Sequence, residues 1–307
     1  MTQTKHAKKD AEKRVGSYIV GETLGEGSFA KVKKGTHEDS GKKVALKFIT
    51  HDADPQSDTV IRLRREITIQ KSLHHPHIAR LLEVIEIAQN ETCLVVELVE
   101  GKDLIDYIQD FPENRVPERE ALKLFRQITS AVHHLHENGI VHRDIKLENV
   151  MVSHDGSCKL IDFGLASHWS MSQALKTPCG SSVYAAPEIL TRRPYRGPKT
   201  DVWALGVLLY CIITGRIPWA GNNTTEQLYN TLHGRWSTVE CTSKSLSDLI
   251  CGCLQPDQEA RFGIYDVMES EWMKGEARKR VPKRKLSGTI LNIEADGHKR
   301  EFSLNTT

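Results

Sequence analysis

Between Ile140 and Gly164 the chain reads I-V-H-R-D-I-K-L-E-N-V-M-V-S-H-D-G-S-C-K-L-I-D-F-G, a run of charged residues interleaved with short apolar pieces. Val150-Met151-Val152 and Cys158-Lys159-Leu160-Ile161 are strand-like. Between them lies Ser153-His154-Asp155-Gly156, a turn-rich tetrad whose glycine suits a positive φ, so the pattern predicts a β-hairpin. Closing that hairpin brings its outer ends, Asn149 and Asp162, side by side. An amide oxygen and a carboxylate are the hard donors that Mg²⁺ prefers. Just upstream, Asp144 offers a base and Lys146 an ammonium able to neutralise phosphate charge.

His142-Arg143-Asp144 with Lys146 and Asn149 resembles the catalytic loop of the eukaryotic protein kinase family, and Asp162-Phe163-Gly164 resembles its metal-binding triplet. Each short match is weak alone; in this order and at this separation they are specific. The resemblance runs from Tyr18 to Met273. It implies an α+β, bilobal fold: a small N-terminal antiparallel sheet of about five strands plus one helix, then a larger, mainly helical C-terminal lobe. The lobes are expected at residues 18–97 and 101–273, between a flexible basic arm at 1–17 and a basic, polar tail at 274–307.

Composition narrows the alternatives. A hydrophobic content of 39% over 307 residues is enough for a sizeable core. The longest apolar run, Val202 to Ile213, contains a glycine and falls short of the roughly 18 residues a membrane span needs, so it is expected as a buried helix. The N-terminus carries no apolar stretch suited to secretion, and the seven cysteines lack paired C-x-x-C spacing. An intracellular, cytoplasmic protein with reduced thiols is expected, without a zinc site. The net charge of +2 makes no case for nucleic-acid binding. In the tail, Arg278-Lys279-Arg280 and Lys283-Arg284-Lys285 suit either a solvated tail or nuclear import.

Tyr18-Ile19-Val20, Lys31-Val32-Lys33-Lys34 and Lys43 to Ile49 read as strands, as do Ile78 to Ile87 and Thr92 to Val99. Between the first two lies Gly25-Glu26-Gly27-Ser28-Phe29-Ala30, where glycines let backbone N–H groups approach phosphate oxygens. Val44-Ala45-Leu46-Lys47 resembles the family strand whose lysine contacts the α- and β-phosphates of ATP. By the same resemblance Leu24, Gly25, Glu26, Gly27, Ser28, Val32, Ala45 and Lys47 line the nucleotide site. Glu97 to Val99 form an adenine-binding hinge, and Asp103 bonds the ribose. Ala30 replaces the family's third glycine, and its methyl group is expected to stiffen the phosphate lid. Ser57-Asp58 can cap a helix to about Leu73 with Val60, Leu63 and Ile67 as its apolar stripe. On it, Glu66 resembles the partner of the strand lysine, Lys47. Gln70 stands where the family carries an apolar residue, in a column with Leu81, His142 and Phe163, leaving a buried amide to satisfy.

Pro117-Glu118 opens an amphipathic helix with Leu122, Phe125, Ile128, Val132 and Leu135 on one face and Gly139 past its end. The histidines on it, His133, His134 and His136, and those at His74, His75 and His77, are expected to be solvated or hydrogen-bonded rather than metal ligands. The polar stretch Leu165 to Glu188 resembles the family's mobile activation segment, ending in Ala186-Pro187-Glu188, with Arg261 as the expected partner of Glu188.

The resemblance implies a Ser/Thr kinase transferring the γ-phosphoryl group of Mg-ATP to protein hydroxyls. Asp144 would be the base and Lys146 the γ-phosphate cation, with Asn149 and Asp162 holding Mg²⁺. Ser181 would bridge Asp144 and Lys146. Glu148 and Asp103 resemble the acids that attract arginines upstream of the target residue. Leu175 to Gly180 and Tyr184 to Glu188 resemble the AMP-activated-kinase-related branch of the calcium/calmodulin-dependent group. Thr177 is then the activating phosphosite, received by Arg143 and modified by an upstream kinase, with Pro178 a departure from the usual residue. Arg284-Lys285-Leu286-Ser287 suits self-phosphorylation at Ser287. Protein substrates and an upstream kinase are the expected partners, without nucleic acid or membrane. Two alternatives stay open: a pseudokinase scaffold, favoured by Ala30 and Gln70, and a small-molecule kinase of similar fold. No further folded domain is expected in the tail.

Overall fold

A strand that buries alternate residues must place its remaining side chains on one opposite face, and Lys43–Thr50 does so in the computed structural model of this chain. The structure describes residues 13–27, 30–172, 174–175, 177, 179–221, 223–237 and 242–275. Ser28, Pro178, Ser287, the basic clusters and most of the N-terminal arm lie outside the described residues. Contacts divide the chain into two units, residues 1–61 with 80–98 and residues 62–79 with 99–307.

The first unit is an antiparallel sheet. Its strands are β1 (Arg14–Val15), β2 (Tyr18–Glu26), β3 (Ala30–His37) and β4 (Lys43–Thr50). Helix α1 (Asp58–Ser72) follows, with the division between the units falling inside it. Strands β5 (Leu81–Ala88) and β6 (Glu91–Glu97) complete the sheet in the order β1-β2-β3-β4-β6-β5. Six strands replace the expected five because β1, only two residues long, is too short to leave a pattern. Val44, Leu46 and Phe48 alternate into the core with Val15, Tyr18, Cys93 and Val95. The expected strand start at Ile78 is corrected: Ile78 bridges Leu160 in the second unit, and β5 begins at Leu81.

Ser57 Oγ accepts the Val60 N–H at 3.3 Å at the start of α1, as the capping pattern predicts. The inward line then runs through Val60, Leu63, Glu66, Ile69, Gln70 and Leu73, while Ile67 is only half-buried. Two polar residues occupy the buried line, so an apolar stripe read from sequence was drawn slightly off the true face. Gln70, 4% exposed, donates its Nε2 to the Ala79 carbonyl at 3.2 Å. The Ala79 N–H in turn donates to Leu160 O at 3.0 Å.

In the second unit come β7 (Gly101–Asp103), α2 (Leu104–Gln109) and α3 (Glu118–Glu137), then β8 (Ile140–Val141), β9 (Val150–Ser153), β10 (Cys158–Leu160) and β11 (Ser167–His168). Helices α4 (Pro187–Leu190), α5 (Gly197–Thr214), α6 (Thr224–Leu232), α7 (Lys244–Cys253), α8 (Ile264–Met268) and α9 (Glu271–Lys274) follow. The core is built on α3 and α5, and α5 is buried almost all round. No helix among the described residues is long and apolar enough to cross a membrane. Strands β9 and β10 form the predicted hairpin with Cys158 opposite Val152, and Gly156 takes φ +80° in its turn. Asp103 both ends β7 and caps α2, its Oδ1 accepting the Asp106 N–H at 2.8 Å.

His136, His77 and His75 are hydrogen-bonded or packed. His136 Nε2 meets Asp201 Oδ2 at 3.0 Å, His77 Nδ1 meets Cys158 O at 2.9 Å, and His75 stacks on His134. Among the described residues no three His, Cys, Asp or Glu side chains are grouped to hold a metal. Burial and the neighbouring His134 and His77 push His75 down to about 4 from an ordinary 6.5. A base held neutral in the fold favours the native state above its unfolded pKa and loses that contribution as pH falls. The thermal midpoint is therefore expected to drop between pH 6.5 and about 4. His75→Gln should flatten that part of the profile.

Arg261 meets Glu188 through two parallel bonds of 2.6 and 2.9 Å, with its guanidinium over the Trp203 ring. Both partners are buried. Arg261→Leu strands the carboxylate and is expected to cost about 3–5 kcal/mol, lowering Tm by roughly 10 °C in a thermal melt.

Candidate active site

The catalytic loop between β8 and β9 cannot take its shape from local propensity, because Arg143 adopts φ +65°. A non-glycine residue in that region costs on the order of 1–3 kcal/mol, so the surroundings must impose it. They do so through Asp201 in the first turns of α5. Its Oδ2 accepts the His142 N–H at 2.9 Å and its Oδ1 accepts the Arg143 N–H at 2.9 Å. Burial would raise this carboxyl, but the hydrogen bond and charge of His136, then His142 and the Arg143 N–H, hold it below its ordinary value. In the sequence Asp201 stands immediately before the apolar run from Val202 to Ile213. Its signal was one carboxylate heading the long apolar run, a group that needs buried donors.

The loop presents its acid and base together. Lys146 Nζ lies 3.0 Å from Asp144 Oδ2 and donates to Ser181 Oγ at 3.2 Å, and Ser181 Oγ reaches Asp144 Oδ1 at 3.4 Å. Burial opposes the Lys146 charge, but Asp144 beside it, with Glu148 and Asp162, outweighs burial and holds the ammonium above its ordinary value. Gly180 makes the approach of Ser181 possible. It sits at φ +98°, and a Cβ there would lie 2.7 Å from the Arg143 carbonyl. Burial pushes Glu148 up to about 7, and its Oε2 has no hydrogen-bond partner among the described residues.

Asn149 Nδ2 donates to the Asp144 carbonyl at 2.8 Å and to Asp144 Oδ2 at 3.0 Å, which fixes the amide. The Ile161 N–H donates to Asn149 O at 2.9 Å, so the hairpin ends are tied together. Asp162 follows with φ +59°, its Oδ1 accepting the Gly164 N–H at 3.2 Å. This carboxylate and amide pair fits Mg²⁺, which takes a few hard oxygen ligands from protein and the rest from water and phosphate. Burial holds His142 below its ordinary value; its Nδ1 accepts the Asp144 N–H and its Nε2 faces Ile161 O, with the ring edge-on to Phe163 at 5.0 Å.

Within the first unit, register sets the nucleotide candidates on one face. Lys47 lies opposite Val32 and Leu94, Ala45 opposite Val96, and Gly25 opposite Val32. This is the face turned away from Val44, Leu46 and Phe48. Leu24, Glu26 and Gly27 continue from it, and Glu26 pairs with Lys31 at 2.8 Å. Ala30 opens β3 opposite Ile49, outside the left-handed region, so its methyl group is accommodated. Glu97 ends β6 in this unit, whereas Glu66, Val99 and Asp103 belong to the second.

Thr177 is exposed, and the second unit also carries Arg62, Arg65 and Arg143. Arg143 Nε donates to Leu165 O at 2.7 Å. Burial and then the like charges of Arg143 and Arg62 hold the Arg65 guanidinium below its ordinary value, and Arg65 Nε has no hydrogen-bond partner among the described residues. Arginines set against one another in this way favour an anion. Arg65 was missed in the sequence because it reads as one of a surface Arg-Arg pair before Glu66.

Residues 18–273 match the protein kinase domain model. The chain belongs to the protein kinase family. Similar proteins include the "Probable serine/threonine-protein kinase MARK-C" of Dictyostelium discoideum, 39% identical over 86% of this chain and 34% of its own length. The "Carbon catabolite-derepressing protein kinase" of Candida glabrata is 38% identical over 96% of this chain and 49% of its own. Human "NUAK family SNF1-like kinase 1" is 40% identical over 83% and 38%. These relatives support the Ser/Thr, AMP-activated-kinase-related branch for this kinase domain. The chain spans between about a third and a half of the length of these curated relatives.

Ser181→Ala removes a hydroxyl bonded to two charged groups and is expected to lower kcat about 10-fold, with Ser181→Thr retaining most activity. Steady-state assays at saturating ATP check this.

Proposed function

We propose that this chain is an ATP-dependent protein serine/threonine kinase that transfers the γ-phosphoryl group of Mg-ATP to hydroxyls of protein substrates. The observation that carries the reading is the cluster around Asp144, whose carboxylate meets Lys146, Asn149 and Ser181 at 3.0 to 3.4 Å while Lys146 also meets Ser181 at 3.2 Å. Phosphoryl transfer asks for in-line positioning and neutralisation of charge rather than covalent help. Asp144 accepts and orients the substrate hydroxyl, and Lys146 supplies positive charge at the γ-phosphate. Asn149 and Asp162 would hold Mg²⁺, which when bound neutralises phosphate oxygens. Leu24, Gly25, Glu26, Gly27, Ser28, Val32, Ala45, Glu97, Val99 and Asp103 are assigned to the nucleotide, and Lys47 to its α- and β-phosphates.

Glu148, whose Oε2 has no hydrogen-bond partner among the described residues, and Asp103 support a preference for basic residues upstream of the target. The charge gathered at Arg143, Arg65 and Arg62 supports activation by phosphorylation of Thr177, by an upstream kinase. Residence in the cytoplasm, with nuclear import as the alternative, belongs to the same proposal.

With Mg-ATP and an Arg-containing peptide, Asp144→Asn is expected to lower kcat by about 10²–10⁴ while leaving ATP binding in place. Phosphatase treatment, Thr177→Ala and Arg65→Ala should each lower activity. A wild type that binds ATP yet transfers no phosphate to any peptide would return the chain to the scaffold reading.

A further inference from the structure

Tyr195 is buried, 2% exposed, yet its phenol oxygen is engaged with polar groups on both sides. It donates to the Thr177 carbonyl at 2.8 Å, and Arg143 Nη1 donates to it at 3.4 Å. Its backbone exchanges two hydrogen bonds with Leu175, N–H to carbonyl at 2.9 and 3.0 Å. Tyr195 therefore grips the regulatory segment at Leu175 through its backbone and at Thr177 through its side chain. The same oxygen touches the arginine assigned to receive a phosphate. Packing alone would be served by phenylalanine; the hydroxyl is what joins segment and cation.

We propose that Tyr195 is a positioning residue of the regulatory segment, holding the Thr177 backbone beside Arg143 so that a phosphate on Thr177 meets an arginine already in place. This inference rests on the reading of Thr177 as the activating site. The carbonyl of Thr177 is bound inward while the residue as a whole stays exposed, so the side chain remains available to an upstream kinase. Once phosphorylated, the side chain needs little further ordering to reach the guanidinium, and ordering is the main cost of forming such a contact. Among the described residues Tyr195 Oη bonds Thr177 and Arg143 rather than Asp144, Lys146 or Ser181, so its effect passes through the segment and Arg143.

The test uses the full chain and Tyr195→Phe, each prepared unphosphorylated and with phosphothreonine incorporated at position 177. For both, kcat and KM are measured with Mg-ATP and an Arg-containing peptide, and Tm is recorded. The ratio of phosphorylated to unphosphorylated kcat is expected to fall about 2- to 10-fold in Tyr195→Phe, the range of one hydrogen bond. An unchanged ratio in a wild type that is itself activated overturns the role of Tyr195. So does an equal fractional loss in both forms with a lowered Tm, which is what a purely structural role gives. A wild type with the same kcat in both forms overturns the reading of Thr177, and this inference with it.

Discussion

The catalytic loop depends on one carboxylate. Asp201 accepts two successive backbone N–H groups, of His142 and Arg143, and a third bond from His136 on α3. Those bonds hold Arg143 in a left-handed conformation that its side chain disfavours. Rotated that way, the loop turns the Asp144 carboxylate towards Lys146 and the Arg143 guanidinium towards Leu165 and Tyr195. One buried acid thus ties α5 and α3 to both Asp144 and Arg143, the residues proposed for phosphoryl transfer and for receiving a phosphate.

Charge is distributed around that anchor in two sets. On one side the acids Asp144, Glu148 and Asp162 outweigh burial and hold the Lys146 ammonium above its ordinary value. On the other, burial and then the like charges of Arg143 and Arg62 hold the Arg65 guanidinium below its ordinary value. In the first set lysine and carboxylate are in contact. The second set consists of cations alone, and an added anion would relieve it. Charge-assisted hydrogen bonds to arginine are among the stronger polar contacts, so a phosphate can alter this region substantially.

Much of this was legible before any coordinates. The hairpin of β9 and β10 follows from strand residues flanking a turn with glycine at positive φ, because both signals are local. The Ser181 bridge and the Glu188–Arg261 pair came through family resemblance, which encodes long-range contacts that local pattern does not. What escaped was of another kind. Asp201, Tyr195 and Arg65 act through backbone groups or through like charges distant in sequence, and neither leaves a periodic trace. Ile67 was misplaced because Glu66 and Gln70 sit on the buried face of α1, where hydrophobicity points the wrong way. Asn149 and Asp162 were read as neighbours from the hairpin alone; the bond that fixes the Asn149 amide on Asp144 needed the coordinates.

The stretch from Leu175 to Tyr195 is fastened repeatedly: backbone to backbone at its ends, at Thr177 by a phenol, at Ser181 by Lys146, and at Glu188 by Arg261. The intervals between these fastenings are short, and a short interval has little entropy to gain when one fastening opens. The stretch should therefore open as a unit rather than fray residue by residue. Met171, almost fully exposed ahead of the first fastening, lies outside that unit. A protease acting on the folded chain would find its substrate there sooner than beside the threonine.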